Sequence, residues 1–600
     1  MTALRLGLAA GGHPSHIPVI LGFRPKGGLG LIYGEAQGLG IDFTDSLGNA
    51  GLGSVAVRDT ATPANNLSNV PAGDFLTNSG TSPKLVRNAA GTYVWTPHNL
   101  VTRSQTFDHA SWVLARATIS ANALAAPDGT LTADKLVEDG TVTSTHNVEH
   151  SGTPAIVGET YTLSYRARAG ERTKFVLSMS DGATGNAGGL FDLSDGTVAA
   201  SPLGAGSWTA VSSTITDLGG GWYLCSTTAT MGAGTNIKSG VFLHNGTSPT
   251  YSGDNASGLY IWGAQLNRGT VPTTYMATTT AARYAVPMEY DSGWYALVEP
   301  AATGLALWNR DLTNAAWVKT GGGGTTAAKD QVGIDGVANS ASSLTADGAD
   351  GTALQAITSV SAARAFAPFV KRITGTGTIS ITLDGGLTYT DITASINSST
   401  FTRVTGLQTL ADPTIGFKIT TSGDKIAVDV AGIENGTVAT SPIPVPGAAI
   451  VTRAADLLNA ATSTFPLGAA YSIWAQVASS GFVTGAIVDM NDGGAQEVEV
   501  YWSSNNLLSY SSGGANLIIG APTVNTTFKV AARCSLNDYH AALNGVLSGV
   551  PDTTVTMPVG PVTMYLGSDS GASRGNWKIS KVMIVPRDWT NAELQTKTAA

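Results

Sequence analysis

The decapeptide "YTLSYRARAG" at 161–170 decides the fold class. Tyr161, Leu163, Tyr165 and Ala167 fall on one side and Thr162, Ser164, Arg166 and Arg168 on the other. A period of two is the signature of an antiparallel strand with one buried and one wet face. Outward from it, "KFVLSMS" (174–180), "GWYLCSTTAT" (221–230) and "SGLYIWGAQL" (257–266) read as further strands. Turn signals stand between them at "SDGT" (194–197), "LGGG" (218–221) and "SGDN" (252–255). Short strands so spaced predict an all-β chain and, here, a jelly-roll sandwich of roughly 180 residues.

The same module occurs twice. "LVTRSQTFDHASWV" (100–113) matches "LALWNRDLTNAAWV" (305–318), with Leu100 on Leu305, Ala110 on Ala315 and Trp112 on Trp317. "PDG" (127–129) and "IDG" (334–336) follow in the same order, and "YTLSYRARAG" aligns with "AFAPFVKRITG" (365–375), Tyr165 on Phe369. The closing phrase "GAQLNRGTVPTTYM" (263–276) returns without a gap as "AGIENGTVATSPI" (431–443), Gly269-Thr270-Val271 on Gly436-Thr437-Val438 and Thr273 on Thr440. Four landmarks in one order indicate duplication. The second copy has lost roughly 38 residues between its middle and its end, and its closing phrase carries Gly432 and Pro442 where the first has Gln265 and Tyr275. That loss fits a copy relaxed from ligand duty.

The chain has 600 residues, 12% of them charged, with 73 glycines and a net charge of −9. At a mean hydropathy of +0.10 it is not a disordered polyanion. No run of Lys or Arg supplies a footprint for phosphate backbones, so no nucleic-acid partner is expected. No stretch approaches a membrane span and the first residues make a poor secretory signal. Cys225 and Cys534 are expected as two buried thiols rather than a bridge.

Four regions are expected: an arm with linker strands over 1–95, a first jelly roll over 96–285, a second, shortened one over 286–445, and a different sandwich over 446–600. In the last, "EVEVYW" (497–502) sets Val498, Val500 and Trp502 opposite Glu497, Glu499 and Tyr501. Asn544-Gly545 marks a primed hairpin turn, and Thr590 with Glu593 a capping box for a terminal helix. The glycine-dense arm is expected to order against neighbouring chains.

These phrases resemble virion structural proteins of tailed bacteriophages. The resemblance rests on "GSVAVRDTATPANNLSNVP" (53–71), a linker strand at Tyr93-Val94, "ALVEPAATGLAL" (296–307) and the "GAQL" ending; Gly304 stands where such proteins usually have Asn, which the first copy keeps as Asn99. The C-terminal phrases "LNGV", "LGSDSG" and "WKISKVMIVPRDWTNAEL" resemble laminin-G/concanavalin-like domains of phage fibres and spikes. The resemblance covers roughly residues 50–600. It implies a tail fibre, spike or head fibre on the particle surface, assembled in the host cytoplasm, non-enzymatic and host-glycan-binding. Its partners would be other virion proteins through the N-terminal arm, host surface polysaccharide, and further copies of the chain, a trimer being favoured. The alternatives are a virion enzyme degrading polysaccharide, for which no run of β-helix rungs is visible, and a purely architectural component.

Few residues suggest chemistry by pattern. His146 and His150 lie four apart with Glu149 on the opposite side of a strand, the wrong order and element for a zincin; they are expected on a surface strand. Gly-x-Ser-x-Gly around Ser573 lies between strands, not on a strand-to-helix elbow. Asp128, Asp192, Asp195 and Asp254 sit at turns, where Asp bonds its own backbone. No cofactor is expected, though turn Asp and backbone carbonyls of the jelly rolls suit structural calcium. Aromatic rings stack on sugar C–H faces, so the glycan-binding candidates are Tyr251, Asp254, Trp222 and Tyr501, with Tyr251 and Tyr501 as exposed platforms. Trp112 and Trp317, retained in both copies, are expected in cores.

Overall fold

The computed structural model describes residues 38–42, 54–58, 70–71 and 76–599, apart from 183, 322–323, 462–469, 494–495, 512–516, 556, 558–562 and 586. The arm expected over the first residues lies largely outside them. The chain is all-β, with every named strand pair antiparallel and an α-helix at Asn591–Thr598 closed by the Thr590–Glu593 capping box.

The first module packs two six-stranded sheets face to face. Thr160–Arg168 lies between Trp222–Thr230 and Gly258–Arg268, and its Tyr161, Leu163 and Tyr165 enter a core with Phe175, Leu177, Val241 and Ile261. The second module has two five-stranded sheets and a three-stranded one around Trp317, Leu344, Phe366, Phe417 and Ile426. Both retained tryptophans are core residues, 4% and 0% exposed.

The duplication is written in hydrogen bonds. Leu100 donates its amide to the Leu266 carbonyl and Leu305 to that of Ile433, both at 2.9 Å. The indole of Trp112 donates to the Arg103 carbonyl and that of Trp317 to the Trp308 carbonyl. Arg103 and Trp308, at matching positions, share a left-handed backbone, φ 55° and 51°. The register of the middle landmark needs correcting. Leu163 pairs with Leu266 and Phe366 pairs with Ile433, so Leu163 corresponds to Phe366, one residue away from the alignment of Tyr165 on Phe369. A one-residue slip exchanges faces. Phe369 accordingly leaves the core and packs with Leu85, Ile334 and Val430. Pro368, unable to donate to a ladder, divides the strand into Ala362–Phe366 and Phe369–Thr374.

The C-terminal sandwich recruits strands from elsewhere. Its ten-stranded sheet contains Gly38–Asp42 and Trp294–Val298, both paired to Trp577–Val585. Its nine-stranded sheet runs on through Thr77–Asn78 and Arg283–Tyr284 to His98–Asn99. Segments that sequence order assigns to the arm and to both jelly rolls are thus strands of the third sandwich's sheets. The Asn544-Gly545 turn has φ 47° and 83°, the primed geometry that closes Asp538–Leu543 on Val546–Leu547.

Candidate functional site: an aromatic cavity at the junction

The strand-to-loop ends of these bodies enclose a cavity of about 810 Å³, within the size range of small-molecule sites. One wall is the hairpin Leu85–Arg87/Tyr93–Trp95. Its turn is held by the Asn88 side chain, whose Oδ1 accepts from the amides of Ala90 and Thr92 at 3.0 Å. Period two puts Tyr93 and Trp95 on one face, away from exposed Val94. A second wall is the closing phrase itself, residues 268–274. A third is Trp294, set by the hairpin Met288–Tyr290/Trp294–Val298.

The phrase is bent over the cavity by its own side chains. Gln265 donates to the Thr273 carbonyl and accepts from the Met276 amide, both at 2.9 Å. Asn267 donates to the Val271 carbonyl and accepts from Thr273. Gln265 and Asn267 are fully buried and serve as loop latches. Gly269 has φ +109°, and a Cβ there would meet Cδ1 of Trp95 at 3.0 Å, so the residue must be glycine. The Arg268 guanidinium lies 5.4 Å from the centre of the Trp95 ring, a cation–π distance. Asp335, ion-paired to Arg310 at 2.7 Å, supplies a carboxylate that burial pushes up but that the guanidinium, with hydrogen bonds from Val337 and Ser340, holds below its ordinary range. Tyr93 is pushed up to about 12 by burial and then by Glu289, so its hydroxyl stays protonated. The cavity therefore offers aromatic faces, a cation, an anion and threonine hydroxyls.

The sequence candidates lie elsewhere. Tyr251 is not an exposed platform: it is 6% exposed, its hydroxyl donates to Glu138 at 2.6 Å, and Arg172 covers its ring at 5.1 Å while pairing with the same Glu138. Asp254 bonds the amides of Ala256 and Ser257, an Asx turn. Asp128, Asp192 and Asp195 likewise accept from the amide two residues on. Trp222 is 5% exposed, buried with Ala126, Ala133 and Trp262 under the hairpin around residue 128. Tyr501 is half-buried in the third sandwich, on the face opposite buried Trp502, which stacks on Phe482 at 4.1 Å. His146 and His150 are buried, not on a surface strand; His146 faces Tyr251 and His150 meets the edge of Trp112. Ser573 sits in an exposed turn. Both cysteines are free and buried. Sequence reasoning missed Trp95, Arg268 and Trp294; the available signal was that Trp95 and Trp294 stand just ahead of the first landmark of each copy, at Leu100 and Leu305.

No protein-family model and no curated protein matches the chain. Several solved structures are similar to parts of it. The CBM22-1–CBM22-2 tandem domain of Paenibacillus barcinonensis Xyn10C is 10% identical, covers 59% of this chain and 100% of its own, with a TM-score of 0.20. Domains LG4-5 of the mouse laminin α1 chain are 8% identical over 41% of this chain and 90% of theirs, TM-score 0.17. A Trypanosoma rangeli sialidase is 9% identical over 91% and 80%, TM-score 0.21. The expectation of a non-enzymatic protein is withdrawn, because enzymes stand among these structures beside carbohydrate-binding and laminin-G modules. At such scores the likenesses assign no activity to this chain.

Proposed function

We propose that the chain is a structural protein of a tailed-bacteriophage particle, of the tail-fibre, spike or head-fibre kind, that holds a host-surface glycan in the junction cavity. The observation that carries the glycan reading is the convergence of Tyr93, Trp95 and Trp294 with Arg268 in one cavity. Aromatic faces accept sugar C–H faces at little entropic cost. The guanidinium and the threonine hydroxyls suit sugar hydroxyls or a uronic or sialic carboxylate. The particle reading is supported by the phrases at 53–71 and 296–307 and by the tandem sandwiches, and self-association as a trimer goes with it. The N-terminal arm is the proposed attachment to other virion proteins.

The test is calorimetric titration of the full chain with oligosaccharides from the host capsule or lipopolysaccharide. Trp95→Ala and Trp294→Ala are each expected to weaken binding at least about tenfold, ~1.4 kcal/mol, with melting temperatures checked in parallel. Unchanged affinity in both variants would remove the cavity from the proposal. Antibody labelling of purified particles tests the location separately.

A further inference from the structure

In the third sandwich, Gly485–Asn491 pairs with Glu497–Ser503 so that Asp489 stands directly opposite Glu499, and Asn491 opposite Glu497. Val488, Met490, Val498 and Val500 point into the core; by alternation Asp489, Glu497 and Glu499 share the other face. The loop after Thr563–Leu566 folds onto that face. The Ser570 amide and hydroxyl donate to Asp489 Oδ2 at 2.9 and 3.0 Å, which brings Asp569 alongside. One carboxylate oxygen from each of Asp489, Glu497, Glu499 and Asp569 then lies within 4.8 Å of the others.

Like charges directly opposite on a sheet repel, and a carboxylate buried without a counter-charge is costly. Asp489 is 0% and Glu499 5% exposed, and Oδ1 of the first and Oε1 of the second have no hydrogen-bond partner. The pocket is thus built of oxygen donors, two of them desolvated and unsatisfied, and their neighbours are already oriented. Asn491 donates to Glu497 at 3.2 Å and to Ser570 at 2.7 Å.

We propose that Asp489, Glu497, Glu499 and Asp569 form a calcium site that fastens the 567–575 loop to the sheet. An all-oxygen, carboxylate-rich set suits a hard cation. Four protein carboxylates gathered within 4.8 Å of one another match the many-oxygen, flexible shell of Ca²⁺, whereas Mg²⁺ keeps most of its waters and takes only one or two carboxylates. This places calcium in the third sandwich rather than at the turn aspartates of the jelly rolls, whose carboxylates are engaged by their own backbone.

The test uses the full chain stripped with EDTA, measuring ⁴⁵Ca²⁺ bound per chain at equilibrium and the melting temperature with CaCl₂ or MgCl₂. The wild type is expected to bind one more Ca²⁺ per chain than Asp489→Asn/Glu499→Gln and to melt higher with Ca²⁺ than with equal Mg²⁺. Asp569→Asn, half-buried in the loop, is expected to weaken that site at least tenfold while keeping the fold. Equal Ca²⁺ stoichiometry in the wild type and Asp489→Asn/Glu499→Gln, an unchanged Ca²⁺ affinity in Asp569→Asn, or a wild-type melting temperature indifferent to Ca²⁺, overturns the proposal.

Discussion

His98 shows how much one side chain decides at the junction. It is fully buried, its Nδ1 donates to the Thr96 carbonyl at 2.7 Å, and its Nε2 accepts from the Arg268 amide at 2.8 Å. Only the neutral ring satisfies both bonds, and burial lowers the group from 6.5 to about 3. A depressed histidine favours the unfolded state once protons are available. Its contribution is complete above pH 6.5 and is lost as pH falls toward 3. Unfolding free energies measured from pH 7 to pH 4 are expected to fall by a few kcal/mol, on the order of 1.4 kcal/mol for each pH unit below the unfolded value. His98→Gln should be weaker at pH 7 but fall less steeply; parallel curves would exclude this role. Nothing local in the sequence marks His98, because its partner Arg268 lies in the closing phrase of the same module.

At the scale of elements, the closing phrase is the informative one. In the first copy Gln265 and Asn267 hold the 269–276 loop over the cavity. In the second, Gly432 replaces Gln265, but Glu434 still accepts from the Thr440 amide at 2.7 Å, as Asn267 does from Thr273. Gly436 keeps a positive φ of 127° yet meets no ring, whereas Gly269 abuts Trp95. Loss of Gln265 from the copy therefore removed a latch, not a ligand contact. Gln265→Ala leaves the Met276 amide and Thr273 carbonyl without their partner and is expected to cost about 1–3 kcal/mol in denaturant titrations. It should also weaken glycan binding, since the freed loop is a cavity wall. Full affinity with reduced stability would separate the latch from the site. The alternation in "YTLSYRARAG" showed which side chains share a face, but Tyr165 and Phe369 were misaligned because only the ladder to Leu266 and Ile433 fixes the register.

For the molecule as a whole, the joint is a buried knot of charge. Lys84 of the linker pairs with Glu299 at 3.0 Å and with Asp456, while Arg453 reaches Glu299 at 3.3 Å. All four are 4% exposed or less. Ser441 of the second module donates amide and hydroxyl to Glu299 at 2.8 and 2.7 Å. Against burial, the two cations hold the Glu299 carboxyl down at about 2. Three segments far apart in sequence thus share one electrostatic centre. Lys84→Met leaves two carboxylates buried with one cation and is expected to cost about 3–5 kcal/mol, read by calorimetry as a lower melting temperature of the second and third sandwiches. A loss below about 1 kcal/mol would show that the sheets alone hold them.

The sequence by itself determined the all-β class, the duplicated frame, the core tryptophans Trp112 and Trp317, the Asp turns, the Asn544-Gly545 hairpin and the terminal capping box. Each depends on neighbours within a few residues or on a phrase that can be compared with its copy. Only the tertiary structure decided that Tyr251 and Trp222 are covered, that Trp294–Val298 belongs to the third sandwich, and that Trp95, Arg268 and Trp294 meet. It alone set Asp569 beside Asp489. Period two divides a strand into faces, but which face stays wet depends on a loop or linker arriving from a distant part of the chain, and local spacing carries no record of that arrival.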